Sequence, residues 1–259
     1  MEEHWERPLC AFCESTSHIL VASNVRRTGH DMVECVCGLR FYSPRMTEAG
    51  LEAAGLVVDY CYQVDAENQW AYGAFKPVPD PEKQKAGVMR YYRSMIRRIV
   101  PAVIPRLDSV FEVGGGVGWF LRAAQDEGAS VLDGCDLNHH AVRIQREGQG
   151  FEGVVCGHFC DHIPSQQYDL IVALDYIEHT RTPFDDLRKM REMARLGGAL
   201  LLKTFTEEGN ADGHYTNPAG HPIHFWGRVL RRMIQDAGWE IVSWLPEGAQ
   251  VLVIARRPA

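Results

Sequence analysis

Residues 109–118 read Ser-Val-Phe-Glu-Val-Gly-Gly-Gly-Val-Gly, and this stretch decides the fold. The first five residues are typical of a buried strand, and the glycines that follow allow a sharp turn into a helix that starts near Trp119. Such a turn lies at the carboxyl edge of a parallel sheet, where a ligand can approach the main chain closely. The dinucleotide fingerprint G-x-G-x-x-G does not fit, because its third glycine would fall on Trp119.

Strands and helices alternate along the chain around this turn. A helix is predicted from residue 87, with Val88, Tyr92, Met95, Ile96 and Ile99 on its apolar face. Further strands are predicted at 130–136, 153–156, 168–174, 198–204, 239–244 and 250–256. The last two are separated by a short turn and must form an antiparallel hairpin. The pattern predicts an α/β protein with a Rossmann-like, seven-stranded, mostly parallel sheet whose last strand is antiparallel.

The length and composition indicate one large domain with a small appendage. The chain has 259 residues, of which 46% are hydrophobic, an ordinary globular composition. We divide it into a cysteine-bearing module at 1–48, a linker or cap at 49–86 and the α/β domain at 87–259. The linker assignment depends on residues 77–83, Pro-Val-Pro-Asp-Pro-Glu-Lys, because prolines disfavour both helices and central strands.

Two acids flank the glycine turn in sequence. Glu112 precedes it by two residues, which favours a cationic ligand over a pyrophosphate, and Asp136 ends the next strand. Together with later blocks across residues 87–259, this pattern resembles class I S-adenosylmethionine-dependent methyltransferases. The resemblance implies that Glu112 reaches the amino group of the cofactor and that Asp136 binds its ribose hydroxyls. The cofactor-binding residues that it implies are Glu112, Gly114, Gly115, Gly116, Gly118, Asp136, Leu137, His158, Phe159 and Leu174. His158 departs from the acid that family members often carry there.

A second block, Asp175-Tyr-Ile-Glu178-His179, resembles the ubiquinone-biosynthesis-like branch of that family. If this segment is helical, the three polar side chains share one face over the carboxyl edge of the sheet. Three roles stay open: His179 as a general base oriented by Glu178, a divalent metal site as the resemblance implies, or a brace for the loop. The fourth catalytic candidate is His224, with packing at the start of the last helix as its alternative. It lies in a polar, glycine-rich stretch at 206–229 that we expect to form a lid.

The first 37 residues contain four of the eight cysteines. Cys10-x-x-Cys13 has the spacing of a zinc knuckle, and Cys35-x-Cys37-Gly resembles the second half of a zinc ribbon that begins many small-metabolite methyltransferases. Cys35 is out of register by one residue, so His18 or His30 are alternative ligands. A structural zinc ion on Cys10, Cys13, Cys35 and Cys37 is predicted; a metal-free remnant or a redox pair is the alternative.

The predicted function is methyl transfer from S-adenosylmethionine to a hydroxyl, amine or activated carbon of a small metabolite in specialised biosynthesis. The net charge of −7 argues against nucleic acid as a partner, and we expect a cytoplasmic protein with no membrane partner, for which a homodimer stays open. Two alternatives are considered. An NAD-type oxidoreductase is disfavoured by Trp119, and a catalytically silent fold that binds a partner through its zinc module is disfavoured by Glu112 and Asp136.

Overall fold

The structure is a computed structural model that describes residues 4–25, 28–53, 81–209 and 220–259. Most of the predicted linker and part of the predicted lid, at 54–80 and 210–219, lie outside the described residues, as does Cys61. Within the described ranges, no helix is both long enough and apolar enough to span a membrane.

The N-terminal module consists of short strands and one helix. They are β1 (Trp5–Glu6), β2 (His18–Ala22), β3 (Met32–Cys35), β4 (Arg40–Tyr42), β5 (Arg45–Met46) and α1 (Glu48–Ala53). Strands β2, β3 and β4 form an antiparallel meander, and β1 pairs with β5. The pairing of β2 with β3 brings the turn of Cys10 and Cys13, which precedes β2, next to the turn of Cys35 and Cys37, which follows β3.

The remaining described elements alternate as the sequence predicts. They are α2 (Pro81–Val103), β6 (Ser109–Val113), α3 (Trp119–Asp126), β7 (Val131–Asp136), α4 (His139–Arg143), β8 (Gly153–Cys156), β9 (Tyr168–Leu174), α5 (Pro183–Met193), β10 (Ala194–Phe205), β11 (Ile223–His224), α6 (Gly227–Asp236), β12 (Glu240–Glu247) and β13 (Gln250–Arg256). Seven of these strands form one sheet in the order β12-β13-β10-β9-β6-β7-β8. Strands β6 to β10 are parallel and β13 runs antiparallel between β10 and β12. The predicted Rossmann-like fold is therefore confirmed.

Several predicted boundaries differ from the structure, and three of the differences have a local reason. Helix α2 begins at Pro81 and not at residue 87. Proline is tolerated there because it lacks an N–H group, and the first turn of a helix has no acceptor for one. The helix that the sequence indicates after β7, at 138–148, is α-helical only to Arg143 and then widens, with Gln149 N donating to the Ile144 carbonyl five residues back at 3.1 Å. Strand β12 continues to Glu247, which pairs with Gln250 across a two-residue turn, so the proline at 246 is inside an edge strand.

The module packs on one face of the sheet as part of the same core. A single cluster of buried side chains joins Phe12, Leu39 and Phe41 of the module to residues of α5, α6 and β10. A second cluster on the opposite face contains the apolar side of α2 and α3, including Tyr92, Met95, Ile96 and Ile99 as predicted. Removal of the module would therefore expose apolar surface of the main domain.

Candidate active site

The turn after β6 has a conformation that favours glycine. Gly114, Gly116 and Gly118 have φ angles of 67°, 54° and 81°, all in the left-handed region. A Cβ on Gly118 would also lie 2.8 Å from the Cγ of Gln145. The amide of Gln145 donates to the carbonyl of Gly116 at 2.6 Å. Gln145 therefore supports a tight, preformed turn at the carboxyl edge of the sheet.

Glu112 is a buried carboxylate adjacent to this turn. Its side chain is 5% exposed, and its Oε2 has no hydrogen-bond partner among the described residues. Burial and, second, the nearby charge of Asp136 raise the pKa of Glu112 well above its usual range. A buried carboxylate with an unused oxygen is stabilised by a cation or a strong donor. Glu112 therefore fits the ammonium group of an amino-acid ligand.

Asp136 is fixed to the glycine turn by two backbone amides. Its Oδ2 accepts from Gly116 N at 2.8 Å, and its Oδ1 accepts from Asn138 N at 2.8 Å. An ionised carboxylate offers about four acceptor positions, so both oxygens keep a lone pair for a ligand diol. The next residue, Leu137, is 46% exposed. The Asn138 side chain caps α4 as it accepts from His140 N and Ala141 N.

The residues predicted to surround adenine differ in exposure. His158 is exposed at the end of β8, whereas Phe159 is buried and packs against Phe111 and Tyr176. The Phe159 ring is thus a core contact, and Lys189 Nζ donates to the Phe159 carbonyl at 2.7 Å. Leu174 is half-buried and packs against the α2–α3 side of the core. A cofactor contact of these residues stays a prediction.

The loop after β9 forms a turn, so the helical arrangement considered for this segment, with one shared polar face, does not occur. Asp175 has a left-handed φ of 52°. Its carboxylate lies 3.4 Å from the ammonium of Lys203 and accepts a hydrogen bond from the amide of Gln250. The left-handed residue redirects the chain, so Asp175 contacts β10 and β13 while the next two polar residues, Glu178 and His179, contact other partners.

Glu178 is bonded to a strand and not to His179. Its Oε2 accepts from the Thr204 hydroxyl at 2.8 Å, and its side chain is buried. Burial, with a smaller contribution from Asp175, raises the pKa of Glu178 to about 8. The carboxyl group is therefore mostly protonated at neutral pH. The predicted orienting role of Glu178 toward His179 does not agree with these contacts.

The described part of the lid orients His179. Its Nδ1 lies 2.5 Å from the carbonyl oxygen of Gly220, and its ring contacts the ring of His221 edge-on at 4.5 Å. Because a carbonyl only accepts, Nδ1 carries the proton and Nε2 carries the lone pair. Burial lowers the pKa of His179 below 6.5, so this neutral tautomer is the main form at pH 7.

His224 lies in the contact between the lid and the N-terminal module. It belongs to β11, which pairs with β4 so that His224 lies opposite Arg40. Its Nδ1 is 3.1 Å from Oε1 of Glu207, and its ring contacts Tyr42 edge-on at 5.6 Å. These contacts agree with the packing alternative, and a catalytic role for His224 stays a prediction.

A family model described as "Methyltransferase domain" matches residues 84–244. The match covers more than half of the chain and includes the glycine turn, Asp136 and the loop after β9. The chain belongs to this methyltransferase family. The use of S-adenosylmethionine, which the resemblance of its motifs implies, and the ubiquinone-biosynthesis-like branch stay predictions.

Solved methyltransferases share the fold of this methyltransferase. An S-adenosylmethionine-dependent methyltransferase from Clostridium acetobutylicum ATCC 824 superposes with a TM-score of 0.56 and 8% identity, covering 66% of this chain and 92% of the other. The CcbJ methyltransferase from Streptomyces caelestis gives 0.55 and 17% identity, covering 70% of this chain and 100% of the other. At these identities the likeness concerns the fold alone.

Curated relatives contradict the expectation that nucleic acid is not a partner. A tRNA U34 carboxymethyltransferase of Vibrio atlanticus is 25% identical over 172 residues, which are 60% of this chain and 52% of that protein. The enzyme of the same name in Vibrio campbellii is 27% identical over 122 residues, 44% of this chain and 37% of that protein. The chain thus spans about half, or less, of the length of these relatives. The exclusion of nucleic acid, which we drew from the net charge, was wrong, since charge of the whole chain does not describe a local surface.

The described side chains of the loop after β9 are not grouped as a divalent metal site would require. Within the described residues, only the N-terminal cysteines bring three or more metal-ligating atoms together. Asp175 is paired with Lys203, Glu178 is bonded to Thr204 and mostly protonated, and His179 donates to Gly220. Asp175 and Glu178 therefore have other partners, whereas Nε2 of His179 keeps its lone pair.

The four N-terminal cysteines of the methyltransferase form one compact cluster. Their sulfur atoms all lie within 4.8 Å of one another, and both the Cys10–Cys37 and the Cys13–Cys35 distances are 3.5 Å. These distances are too long for disulfides and close to the roughly 3.8 Å edge of a tetrahedral zinc–thiolate site. Burial raises the pKa of Cys35 to about 11, so a cation is needed to favour thiolates here. Cys35 completes the set, while the alternative ligand His30 bonds the Thr28 hydroxyl at 2.9 Å.

Three polar residues of the site were not predicted. Gln145 supports the glycine turn, Lys203 pairs with Asp175, and Thr204 bonds Glu178. The signal for Lys203 and Thr204 was present in the sequence, because polar residues that end a central buried strand lie at the ligand edge of the sheet. Gln145 had no such signal, since its contact depends on the widened turn after α4.

Proposed function

We propose that the protein transfers a methyl group from S-adenosylmethionine to a hydroxyl, amine or activated carbon, with His179 as the general base. The observation that carries this proposal is the 2.5 Å contact of His179 Nδ1 with the Gly220 carbonyl, which leaves Nε2 as the basic nitrogen. A small biosynthetic metabolite is the first acceptor class we propose, because the loop that contains His179 is bonded to Gly220 and, through Arg181, to Glu6 and Met46 of the module.

The cofactor roles proposed for the glycine-turn residues follow from their contacts. Glu112 would accept from the ammonium group of the methionine part, and Asp136 would accept from the ribose hydroxyls. Gly114, Gly115, Gly116 and Gly118 would allow close approach of the cofactor to the main chain. The unpartnered Oε2 of Glu112 and the two amides that hold Asp136 support these roles.

The methyl donor and the protein have different roles in the proposed reaction. When bound, S-adenosylmethionine supplies an electrophilic methyl group on a sulfonium. His179 Nε2 accepts the proton of the acceptor hydroxyl or ammonium as the acceptor lone pair forms the new bond to carbon. The carbon–sulfur bond breaks with its electrons left on sulfur, so charge and protons balance. Solvent takes the proton from His179 after product release.

Replacement of His179 with alanine is expected to lower kcat by about a hundredfold to ten-thousandfold, the usual contribution of a general base. The affinity for S-adenosylmethionine should stay within a factor of about two, since no described cofactor residue contacts this side chain. In the wild type, kcat/KM should rise through the lowered pKa of His179, below pH 6.5, and be level at neutral pH. Stopped-time assays of methyl transfer from pH 5 to 8 measure both effects.

His162→Ala is the matched control, because His162 is a partly buried histidine that packs on Phe111 away from this loop. It should keep the rate and the pH profile of the wild type. If His179→Ala has an unchanged kcat, His179 is a loop brace and the base assignment is wrong.

The zinc site and the domain division are further proposals. We propose that Cys10, Cys13, Cys35 and Cys37 hold one structural zinc ion, supported by their sulfur–sulfur distances. We also propose a zinc module at 1–48, a linker or cap at 49–86 and a methyltransferase domain at 87–259, although helix α2 begins earlier, at Pro81. The shared core of the two parts indicates that they fold together.

A second acceptor class is a base of tRNA, the substrate in the names of the curated relatives. Helix α6 presents exposed Arg228 and Arg231, whose guanidinium groups stack on Trp226 and Trp244 at 5.1 and 4.1 Å. Within the described residues neither arginine has an acidic partner. Stacked guanidinium groups present donors suited to phosphates.

If the acceptor is a tRNA, replacing Arg228 and Arg231 with alanine should weaken binding of bulk tRNA and reduce the salt slope by about two phosphate contacts. Filter binding at 50 and 200 mM salt measures this change. Arg97→Ala is the control, because Arg97 pairs with Glu127 away from α6. No retention of tRNA by the wild type at 50 mM salt would contradict this second candidate.

A further inference from the structure

Two loops border the acceptor side of the candidate site, and both are joined to the N-terminal module. The loop after β9, which contains His179, ends near Arg181. Arg181 donates from Nη1 to Glu6 at 2.6 Å and from Nη2 to the Met46 carbonyl at 2.7 Å. The second loop, the lid between β10 and α6, contributes β11 as the outer strand of the module sheet. The module is thus bonded to both loops that border the site.

The two described ends of the lid are hydrogen-bonded to each other. Glu207 N donates to the Phe225 carbonyl at 2.8 Å, and Gly227 N donates to the carboxylate of Glu208 at 2.8 and 2.9 Å. These bonds join the first and last residues of the lid, so its two ends move as one unit. A contact that fixes either end therefore fixes the base of the whole loop.

Arg40 of the module is the residue that holds this base. Its Nε donates to Glu34 at 2.7 Å within the module, and its Nη1 donates to Glu207 at 2.7 Å in the lid. Its guanidinium group also stacks on Trp226 at 4.6 Å. All three contacts are shielded, since the side chain of Arg40 is 16% exposed and that of Glu207 is 9% exposed. A planar fork that bridges two carboxylates and stacks on an indole cannot be replaced by lysine without loss.

The same lid residues lead directly to His179. Glu207 binds Arg40 through Oε2 and His224 through Oε1. His224 and Ile223 form β11, three residues after Gly220, whose carbonyl accepts the Nδ1 proton of His179. A displacement of the lid base would therefore remove the acceptor that fixes the tautomer of His179.

We infer that Arg40 is a positioning residue that couples the N-terminal module to the acceptor site, through the lid, by holding Gly220 against His179. This inference rests on the proposed role of His179 as the base. The effect of Arg40 on the position of the lid and on the tautomer of His179 does not depend on which acceptor is bound. Arg40 itself does not touch the reacting atoms.

Arg40→Ala and Glu207→Gln test the inference in the full-length, metal-loaded protein. Both should lower kcat/KM for the acceptor by about tenfold to a hundredfold, the effect of a small misplacement of a catalytic group. The affinity for S-adenosylmethionine and the metal content should stay at wild-type values. Arg40→Lys should restore only part of the rate. Glu207→Gln keeps the shape of the side chain and so guards against a folding defect in Arg40→Ala.

Two measurements need no acceptor and thus separate this inference from the proposed function. In ¹⁵N-histidine spectra, the protonated Nδ1 signal of His179, assigned with His179→Gln, should be lost or mixed with the Nε2 tautomer in both variants. Amide exchange of residues 220–226 should be at least about tenfold faster. Arg195→Ala, which breaks an ion pair with Asp169 at 2.7 Å outside the lid, should leave both unchanged. If Arg40→Ala keeps the wild-type tautomer and lid exchange, the inference is overturned.

Discussion

Replacement of Cys10 and Cys13 with serine is expected to remove the metal and unfold the N-terminal module. The wild type should contain about one zinc ion per chain and the double variant close to none, because two of four thiolate ligands are lost. Zinc binding supplies most of the folding free energy of small zinc modules, and the short strands of this one lack a sizeable core of their own. Elemental analysis and near-ultraviolet circular dichroism measure the two effects.

The shared core predicts how far the damage extends. Phe12, Leu39 and Phe41 are buried against α5, α6 and β10, so loss of the module should expose apolar surface and promote aggregation. Binding of S-adenosylmethionine should persist, because Glu112 and Asp136 belong to the other part of the chain. Cys156 and Cys160 are exposed cysteines outside the cluster, and their double serine variant is the control. A wild-type protein that is folded without metal would contradict the zinc proposal.

The central sheet was predictable from the sequence because each strand has its own local signal. The strands at 109–113, 168–174 and 250–256 match the structure at both ends. Their residues are mostly apolar, and turn residues bound them. The glycine turn and Asp136 were predictable for the same reason, since their spacing from a strand end fixes their place at the sheet edge. Contacts within one βα unit are thus encoded locally.

The loops were less predictable, because their contacts are long-range. Asp175, Glu178 and His179 have helical spacing, yet the left-handed residue at Asp175 and the partners on β10 and the lid separate their side chains. In the same way, no spacing rule places His224 beside Arg40, which is distant in sequence. The cysteine cluster was partly predictable. Each pair of cysteines is local in sequence, but the pairing of β2 with β3 is needed to bring Cys35 to the other pair.

Replacement of Asp136 with alanine is expected to abolish measurable binding of S-adenosylmethionine. Two hydrogen bonds from the ribose hydroxyls to a carboxylate contribute about 3–6 kcal/mol together, which corresponds to a loss of affinity of at least about a hundredfold. The variant also frees the amides of Gly116 and Asn138, which Asp136 now binds at 2.8 Å each, so the preformed turn should loosen. Isothermal titration with S-adenosylmethionine measures the affinity, and thermal unfolding measures the fold.

Two further variants separate the direct bonds from the turn. Asp136→Asn keeps an oxygen for one backbone amide but loses the charge, so we expect an affinity between those of the wild type and Asp136→Ala. Asp133→Asn changes an acid of the same strand that accepts from the Tyr168 hydroxyl at 2.8 Å, and it should bind the cofactor as the wild type does. If Asp136→Ala is folded and binds within about threefold of the wild type, the ribose contact is wrong. In that case Glu112, whose buried Oε2 has no described partner, would have to supply the main anchor of the cofactor.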